Sequence, residues 1–502
     1  MKRFLPEKII LWVYVVVMGT VFPLFMTNYY YNIQKSKSLF FVFLTFAVLL
    51  ITVVITAIRF GLDQFSENLK KPLPVFLACF FGVISLSTFF SPFHDVAFAG
   101  NGGRFIGFIF LTAVLIAAAL PVLVPVRGRF IHLFYLSAGL AAAAIGIFNF
   151  LGADLFGLVS AVPERLRGQY LSTIGYSGFF AEYLSLTALL GISAFTLTKE
   201  RFILPVLFVI DTALLIANSS GALIAVFVSL LVFPLLFRKE EDWFLSFITA
   251  LFPLPFGCVA ARFLFTYGQS PVTPDGLTAL LLNNYFAPGL FILLLLLFGF
   301  LYVRKRRQGT GPRKKNSAVV IYGWILAAAL SAFLLFAVLS NTGVLPENRL
   351  TITDSSFGYR GYIWTRSLRL FANAPFMRKV FGYGPDTLKS LYAQSLGQEM
   401  TAVTGQIYDS AHSFFLQYLL TTGLAGMISL TGIIISLLIP AVKSCAKSRL
   451  IFLSALTVLL VQLFYMADQP MVTPFLYLFL GLSASDPPEE AEEMNPEEVN
   501  PA

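Results

Sequence analysis

Long, uncharged apolar runs recur along the whole chain, and they constrain its fold more than any other feature. A run of roughly 18 such residues is enough to cross a bilayer as an α-helix. With 57% hydrophobic and only 12% charged residues among 502, the chain has many runs of this length. The sequence therefore predicts an all-α integral membrane protein with about 12–14 transmembrane helices.

The longest polar interval divides these runs into distinct parts. An N-terminal transmembrane bundle covers residues 1–340, a large loop that we expect to carry short helices covers 341–411, C-terminal transmembrane helices cover 412–485, and a tail covers 486–502. The tail is acidic, rich in proline and without a hydrophobic face, so we expect it to be disordered. The predicted spans are residues 9–27, 39–59, 73–93, 105–125, 130–150, 174–197, 202–217, 221–237, 243–264, 283–303, 318–340, 420–442, 450–466 and 470–484.

Basic residues in the connectors predict which side of the membrane each part faces. Lysine and arginine accumulate in cytoplasmic loops, and 22 of the 35 in this chain fall in alternate connectors on the side of the N-terminus. Both chain ends are therefore predicted to be cytoplasmic, and the loop at 341–411 extracytoplasmic. The basic connector at 304–315 fits this rule, so it gives no reason to expect a nucleic-acid partner.

The loop and the first residues after it concentrate the polar chemistry of the chain. A connector of about 70 residues is uncommon in a compact protein and is usually either functional or disordered. This one carries Trp, Phe, Tyr and Leu at helical spacing, which favours an ordered, functional loop. It contains Arg360, Arg366, Arg369, Arg378, a Gly382–Pro385 turn and, just beyond it, His412.

Arg360 lies on the apolar face of a helix that we predict from Tyr359 to Ala374. A turn of about 100° per residue places Trp364, Leu368 and Phe371 on the same stripe. An unpaired charge on a buried face is costly, so Arg360 needs an anionic partner there.

Two kinds of partner remain open for Arg360. Asp354 or Glu347 could form a structural ion pair with it, or an anionic ligand could bind to it. Arg366 and Arg369 lie on the opposite face, where we expect them to be solvated or to contact lipid headgroups.

His412 is predicted to stand at the start of a helix, with Asp409 and Ser410 as capping residues. The helix dipole favours a neutral imidazole there, while Asp409 would orient one ring nitrogen and oppose that lowering of the pKa. This predicts a histidine that accepts a proton near neutral pH, and hence an activity that rises with pH in the physiological range. The alternative is a histidine that only forms hydrogen bonds between helix ends.

Further arginines face the same side in the predicted topology, namely Arg104 in the motif NGGRFIG, and Arg165 and Arg167 in PERLRGQY. These arginines face the same compartment as the large loop, so we treat Arg104, Arg165, Arg167 and Arg360 as candidate substrate-binding residues.

Three motifs follow one another from the start of the loop to the next span. They are Arg360-x-x-x-Trp364, Gly-Tyr-Gly-Pro at 382–385, and Ala-His-Ser-x-x-Leu-Gln-x-Leu-x-x-x-Gly-Leu-x-Gly at 411–426. In this order and on this topology they resemble the O-antigen ligase and polymerase superfamily of bacterial envelope glycan enzymes. Upstream, Arg167-Gly168-Gln169-Tyr170 is similar to the arginine-bearing outer loop of that family. The chain departs from the family at Ser413, where Asn is usual, and at Asn218–Gly221, where the family has a Ser-Arg pair.

The resemblance implies a membrane glycosyltransferase that works without a metal or other cofactor. Such an enzyme transfers an undecaprenyl-diphosphate-linked saccharide to a hydroxyl of a glycan or lipid acceptor, by inversion, at the outer face of the cell membrane. It serves cell-surface polysaccharide biosynthesis. The resemblance also implies that Arg165, Arg167 and Arg360 bind the diphosphate, and that His412, with Asp409 beside it, activates the acceptor.

Other functions remain open at this point. A polysaccharide polymerase of the same superfamily shares the whole motif set. A peptidoglycan polymerase-like enzyme would share the lipid diphosphate donor, but we would expect a catalytic carboxylate as its key outer residue. A polysaccharide transporter should carry ionisable residues in mid-membrane or show inverted repeats, and only Glu182 and Asp211 are notable acids within the predicted spans. A non-enzymatic assembly scaffold is the last alternative.

Overall fold

Helices account for nearly all regular structure in this protein. The computed structural model describes residues 5–60, 72–100, 102–126, 130–160, 162–238, 242–308, 317–342, 351–443, 447–466 and 468–485. Within these ranges the sheet is a single two-stranded ribbon. The predicted disordered tail at 486–502 lies outside the described residues.

The first half of the chain contains α1 (Leu5–Leu24), α2 (Ile33–Phe60), α3 (Pro72–Phe89), α4 (His94–Ala99), α5 (Phe108–Leu123), α6 (Ile131–Phe150), α7 (Ser177–Thr198), α8 (Ile203–Ile216), α9 (Ser220–Leu236), α10 (Trp243–Ala250) and α11 (Pro253–Tyr267). The second half contains α12 (Gly276–Leu281), α13 (Phe286–Gln308), α14 (Ser317–Asn341), α15 (Ser356–Asn373), α16 (Phe376–Phe381), α17 (Leu388–Thr404), α18 (Phe414–Thr421), α19 (Gly423–Lys443), α20 (Lys447–Gln462) and α21 (Thr473–Ala484).

The apolar helices correspond one for one to the predicted spans. Among the described residues, eight helical segments are long and apolar enough to cross a membrane, and six further apolar helices are shorter. Helices α10 and α11 together form one of the long segments, Trp243–Tyr267. These findings confirm an all-α integral membrane fold.

The centre of the bundle is α7, whose span is buried on all sides. It packs against α6, α8, α10 and α20. Helix α21 is also buried and packs closely on α5. A Cβ atom at Gly481 would lie 2.2 Å from the carbonyl oxygen of Ala118, so this close approach of the two helices requires glycine. Helices α7 and α21 are therefore closely packed within the bundle.

The loop after α14 folds into a small helical layer of its own. Helices α15 and α17 share an apolar cluster that includes Tyr362, Ile363, Leu391 and Tyr392. Inside it the hydroxyls of Ser367 and Tyr392 form a hydrogen bond of 2.6 Å. The prediction of short helices in this loop is confirmed.

The predicted buried stripe of α15 is only partly correct: Phe371 packs on the apolar cluster and Trp364 is half-buried, but Leu368 is not. Leu368, expected on the buried stripe, is 50% exposed, whereas Tyr362, Ile363 and Ser367 are buried. The helix follows a left-handed kink at Phe357–Tyr359 and packs on α17 through its Tyr362 face. An apolar stripe beside a bilayer need not face protein, so periodicity alone did not identify the packed side.

Arg366 is also placed differently from the prediction. Its Nε donates to Glu399 Oε1 at 2.8 Å, and its guanidinium lies 4.8 Å from the centre of the Tyr362 ring. Asp354 is 3.8 Å away on the other side. Arg366 therefore stabilises the contact between α15 and α17 and is not a freely solvated side chain.

Candidate active site

Five polar residues from four separate segments interact where the loop meets the ends of the bundle helices. We call Arg104, Arg360, Asp386, Asp409 and His412 the polar cluster. Arg104 comes from the connector between α4 and α5, Arg360 from the start of α15, Asp386 from the connector between α16 and α17, and the other two from the connector between α17 and α18. His412 interacts electrostatically with Arg104, Arg360 and Asp409, and Asp386 with Arg104 and Asp409.

Arg104 and Asp409 form the central ion pair of this cluster. Arg104 Nε donates to Asp409 Oδ1 at 3.0 Å, and Arg104 Nη1 donates to the carbonyl oxygen of Asp468 at 3.2 Å. The side chain of Arg104 is buried. Gly103, with φ of +132°, lets the connector pass close to the Asp409 side chain. Arg104 thereby ties the segment before α18 to the segment before α21.

This pairing decides the ionisation of Asp409. Burial raises the pKa of its carboxyl group, but the charge and the hydrogen bond of Arg104 outweigh that effect and hold the pKa below its usual range. Asp409 is therefore an anion at neutral pH. The prediction that Asp409 caps the next helix is wrong: Ser413 is the N-cap residue of α18, and Asp409 is engaged by Arg104 instead.

His412 adopts a backbone conformation that non-glycine residues rarely adopt. Its φ is +47°, in the left-handed region. The conformation is supported on both sides, because Gln417 Oε1 accepts the Ala411 N–H at 3.0 Å and the Phe414 N–H bonds to the Leu463 carbonyl at 2.8 Å. The Ala-His-Ser-x-x-x-Gln pattern thus has a physical reason: its glutamine folds back to hold the residue before the histidine.

The imidazole of His412 is half-buried and lies edge-on to the Tyr408 ring, with centroids 5.4 Å apart. Burial lowers the pKa of His412 to about 3, together with the positive charges of Arg104 and Arg360, while Asp409 opposes the shift. The imidazole is therefore neutral throughout the physiological pH range when no ligand is bound. The predicted titration near neutral pH does not hold for this unliganded state, because burial and the charges of two arginines both disfavour the imidazolium.

Arg360 is half-buried and carries an unused donor. Its Nη1 donates to the Phe357 carbonyl at 2.9 Å, but its Nε is buried without a hydrogen-bond partner. Among the described residues no carboxylate forms an ion pair with it, and Asp354 pairs with Arg366. Glu347, the other structural partner considered, lies outside the described residues. Burial lowers the pKa of the guanidinium, yet an arginine stays charged at neutral pH.

Asp386 is a member of the cluster that the sequence reasoning missed. It directly follows the Gly382–Pro385 turn, which docks on the end of α18: the Tyr383 N–H bonds to the Leu420 carbonyl and the Gly384 N–H to the Thr421 carbonyl, both at 2.9 Å. The turn thereby buries Asp386, whose Oδ2 accepts the Gly102 N–H at 3.1 Å. Its Oδ1 is buried and without a hydrogen bond. The signal was present as the acid that ends the sequence GYGPD.

The environment of Asp386 favours its neutral form. Burial raises the pKa of this carboxyl group to about 7, and the nearby charge of Asp409 adds to the shift, whereas Arg104 and backbone N–H groups oppose it. Asp386 and Asp409 thus differ strongly in acidity although both interact with Arg104. Asp409 is ionised throughout the neutral range, whereas Asp386 holds its proton below about pH 7 and loses it above that value.

The two arginines before α7 are not joined to the cluster by any contact within the described part of the chain. Arg167 is exposed and donates to the Val162 carbonyl at 3.2 Å, and the side chain of Arg165 lies outside the described residues. They belong to a 3₁₀ helix at Glu164–Gln169 that leads into β1 (Tyr170–Leu171) and its antiparallel partner β2 (Gly175–Tyr176). This ribbon brings Tyr176 into the electrostatic environment of Arg360.

A buried polar layer beneath the cluster was also missed. Gln469 donates to the Glu182 carboxylate of α7, and Tyr418 donates to the Asp468 carboxylate, which also accepts from Thr473 at 3.1 Å. The signal for this layer is the polar Asp-Gln pair between two apolar spans. The layer supports Arg104 from below, because the Asp468 carbonyl is one of its two acceptors.

A part of the chain that contributes to the polar cluster matches a known protein family. The family model described as O-antigen ligase matches residues 276–431. This segment, called the ligase domain below, is similar to O-antigen ligases. The matched segment contains Arg360, Asp386, Asp409 and His412, so most of the polar cluster lies within the ligase domain. Arg104 comes from outside it and completes the cluster. No curated protein matches the chain.

Proposed function

We propose that the protein is a membrane glycosyltransferase that transfers a saccharide from undecaprenyl diphosphate to an acceptor hydroxyl, in the manner of O-antigen ligases. The observation that carries the proposal is the electrostatic interaction, inside the ligase domain, between a half-buried Arg360 whose Nε has no hydrogen-bond partner and a neutral His412. Arg360 supplies the positive charge that a diphosphate leaving group requires, and His412 supplies a base.

In the proposed reaction, the acceptor oxygen attacks the anomeric carbon while the bond from that carbon to the diphosphate oxygen breaks, with inversion. The neutral imidazole of His412 takes the proton of the acceptor hydroxyl. Negative charge develops on the departing lipid diphosphate, and the guanidinium of Arg360 stabilises it through bidentate hydrogen bonds. The products are the glycosylated acceptor and undecaprenyl diphosphate.

The contacts of Arg104 support a positioning role for this residue. Its guanidinium already donates to Asp409 and to the Asp468 carbonyl, so it has fewer donors left for a ligand than Arg360. We assign it the task of holding Asp409, whose charge faces His412. Arg165 and Arg167 remain proposed diphosphate ligands, and they would need to move toward the cluster when the donor binds.

Donor binding would switch His412 into a stronger base. In the free protein Arg104 and Arg360 lower the pKa of the imidazole. A bound diphosphate brings negative charges that offset these arginines, so the pKa of His412 rises toward its ordinary value near 6.5. The base thus gains strength only when the leaving group is in place, which limits premature proton uptake.

A polysaccharide polymerase would use the same chemistry with the non-reducing end of another lipid-linked glycan as acceptor. The polar cluster serves both reactions, since neither the donor chemistry nor the base changes. The acceptor distinguishes the two enzymes.

Transfer by the purified protein in proteoliposomes tests the proposal. The lipid-linked glycan donor is supplied with either a lipid acceptor or a second lipid-linked glycan, and the expected result is a glycosylated acceptor with one undecaprenyl diphosphate released per transfer. Movement of intact donor across the bilayer without any transfer would contradict the proposal and favour a transporter.

The proposed extracytoplasmic position of the site has its own test. In a variant without native cysteines, Gln398→Cys on the exposed face of α17 should react with a membrane-impermeant maleimide in cells whose cytoplasmic membrane is intact and accessible. Arg306→Cys, exposed at the end of α13, is the matched control and should react only after the membrane is opened. Labelling of Arg306→Cys alone in intact cells would place the cluster in the cytoplasm and overturn the topology.

A further inference from the structure

Two buried hydrogen-bond donors without partners interact electrostatically at the edge of the polar cluster. One is Arg360 Nε and the other is the hydroxyl of Tyr465, in the connector between α20 and α21. Each residue contributes to the electrostatic environment of the other. Gln462 interacts with the phenol but forms no hydrogen bond of good geometry with it: its Nε2 donates to Ser185 Oγ at 2.6 Å, and its Oε1 is buried without a partner.

Proteins rarely leave buried polar atoms unpaired, so two donors that interact electrostatically and lack a hydrogen bond indicate a place for a ligand acceptor. The guanidinium of Arg360 can only donate, and a phenol with an ordinary pKa near 10 is a donor at neutral pH. An acceptor that satisfies both must offer more than one oxygen atom and must tolerate a neighbouring positive charge. A diphosphate has these properties.

Three contacts hold Tyr465 and the residues just before it in place. The Phe414 N–H bonds to the Leu463 carbonyl at 2.8 Å, which ties the Tyr465 segment to the start of α18 and hence to His412. The neighbouring ring of Phe464 packs on Phe415, with centroids 5.0 Å apart. On the third side, a Cβ atom at Gly221 would lie 2.7 Å from the ring of Tyr465, so only glycine admits the ring at the start of α9.

We propose that the Tyr465 hydroxyl binds the diphosphate of the lipid-linked donor, alongside the Nε–H of Arg360. This inference rests on the proposed function and adds a ligand to the donor site. The hydroxyl donates one hydrogen bond to a phosphate oxygen, and Arg360 donates to another. Tyr465 thereby aligns the diphosphate relative to His412, to which its segment is tied through Phe414.

Tyr465→Phe tests the proposal because it removes only the hydroxyl. A hydrogen bond to a charged group accounts for about 10–100-fold in binding, so kcat/KM for the donor should fall by about that factor, and inhibition by inorganic pyrophosphate should weaken by about tenfold or more. Tyr183→Phe is the matched control: its hydroxyl is also buried and unpartnered, but it lies within the span formed by α7 and is not a member of the polar cluster. It should change neither quantity.

Gly221→Ala provides a second variant that keeps the hydroxyl but displaces the ring, and it should also weaken pyrophosphate inhibition. Thermal unfolding in detergent identifies a purely structural effect. If Tyr465→Phe lowers the melting temperature and the activity while the pyrophosphate inhibition constant stays unchanged, the proposal is wrong.

Arg360→Ala distinguishes a failure of the role proposed for Tyr465 from a failure of the proposed function. Loss of pyrophosphate inhibition in Arg360→Ala with normal inhibition in Tyr465→Phe would overturn the role of Tyr465 and leave the proposed function intact. Normal pyrophosphate inhibition in both variants would show that the proposed donor site is wrong.

Discussion

Replacing His412 with alanine is expected to reduce glycan transfer by about 10²–10⁴-fold, the range typical of a lost general base. The imidazole is neutral, half-buried and held in a left-handed conformation between Ala411 and Ser413, which suits a group that must be presented in one orientation. Donor affinity should stay nearly constant, because the proposed diphosphate contacts come from Arg360 and Tyr465. Single-turnover transfer and pyrophosphate inhibition measure the two effects separately.

His94→Ala is the matched control for this variant. His94 lies in α4 on the same side of the fold, and its side chain is 57% exposed. It should transfer glycan at the parental rate. A His412→Ala protein that did the same would remove the proposed mechanism and leave only the family assignment of the ligase domain.

The pH dependence follows from the different acidities in the cluster. The pKa of His412 lies at about 3 in the free protein, so the base is already neutral at higher pH, and kcat/KM should show no rising limb from His412 between about pH 5 and 8. The kcat profile, which reports the donor-bound enzyme, should show a rising limb at higher pH, because the diphosphate offsets the arginines. A rising limb near pH 6.5 in kcat/KM would contradict this description of the unliganded site.

Asp386 should contribute a falling limb to the same kcat/KM profile. Its pKa is raised to about 7, so Asp386 loses its proton and becomes negatively charged as the pH rises through that value. A new carboxylate charge beside Asp409 opposes binding of an anionic donor. Asp386→Asn, which mimics the neutral acid, should remove the falling limb. Its persistence in that variant would assign it to another group.

Hydropathy was sufficient to predict the membrane helices, because a bilayer imposes one length and one polarity on every span. The local motifs were sufficient to select Arg360, Asp409 and His412. The partner of Asp409 was not predictable in the same way: Arg104 lies 305 positions earlier in the chain, and nothing local indicates which carboxylate it meets. The helix-capping role expected for Asp409 failed for this reason, since a full charge nearby outweighs a backbone N–H.

Asp386 and Tyr465 show a second limit of sequence reasoning. Each is ordinary in its local sequence, an acid after a turn and an aromatic residue at the end of a span. Each has a buried polar atom without a hydrogen-bond partner, Oδ1 of Asp386 and the hydroxyl of Tyr465, and this depends on the docking of the Gly382–Pro385 turn and on the space left by Gly221. Such features arise only when distant segments pack together.

Substitutions of Arg360 distinguish the effect of its positive charge from the effect of its planar hydrogen-bonding geometry at the donor site. Arg360→Ala removes the guanidinium and should lower kcat/KM for the donor by about 10²–10³-fold, as expected for loss of one donor to developing negative charge. Arg360→Lys keeps the charge but loses the planar fork, and it should still lose about tenfold or more. Both values come from initial rates of transfer at varied donor concentration.

Arg369→Ala and Arg369→Lys are the matched controls, because Arg369 lies on the same helix and is exposed. Both should transfer glycan at nearly the parental rate. If Arg360→Lys is fully active while Arg360→Ala is not, the site needs only a positive charge, and bidentate recognition of the diphosphate is wrong. If both Arg360 variants fold and transfer glycan normally, the buried Nε of Arg360 has another role, and the leaving group must be stabilised by Arg165 or Arg167.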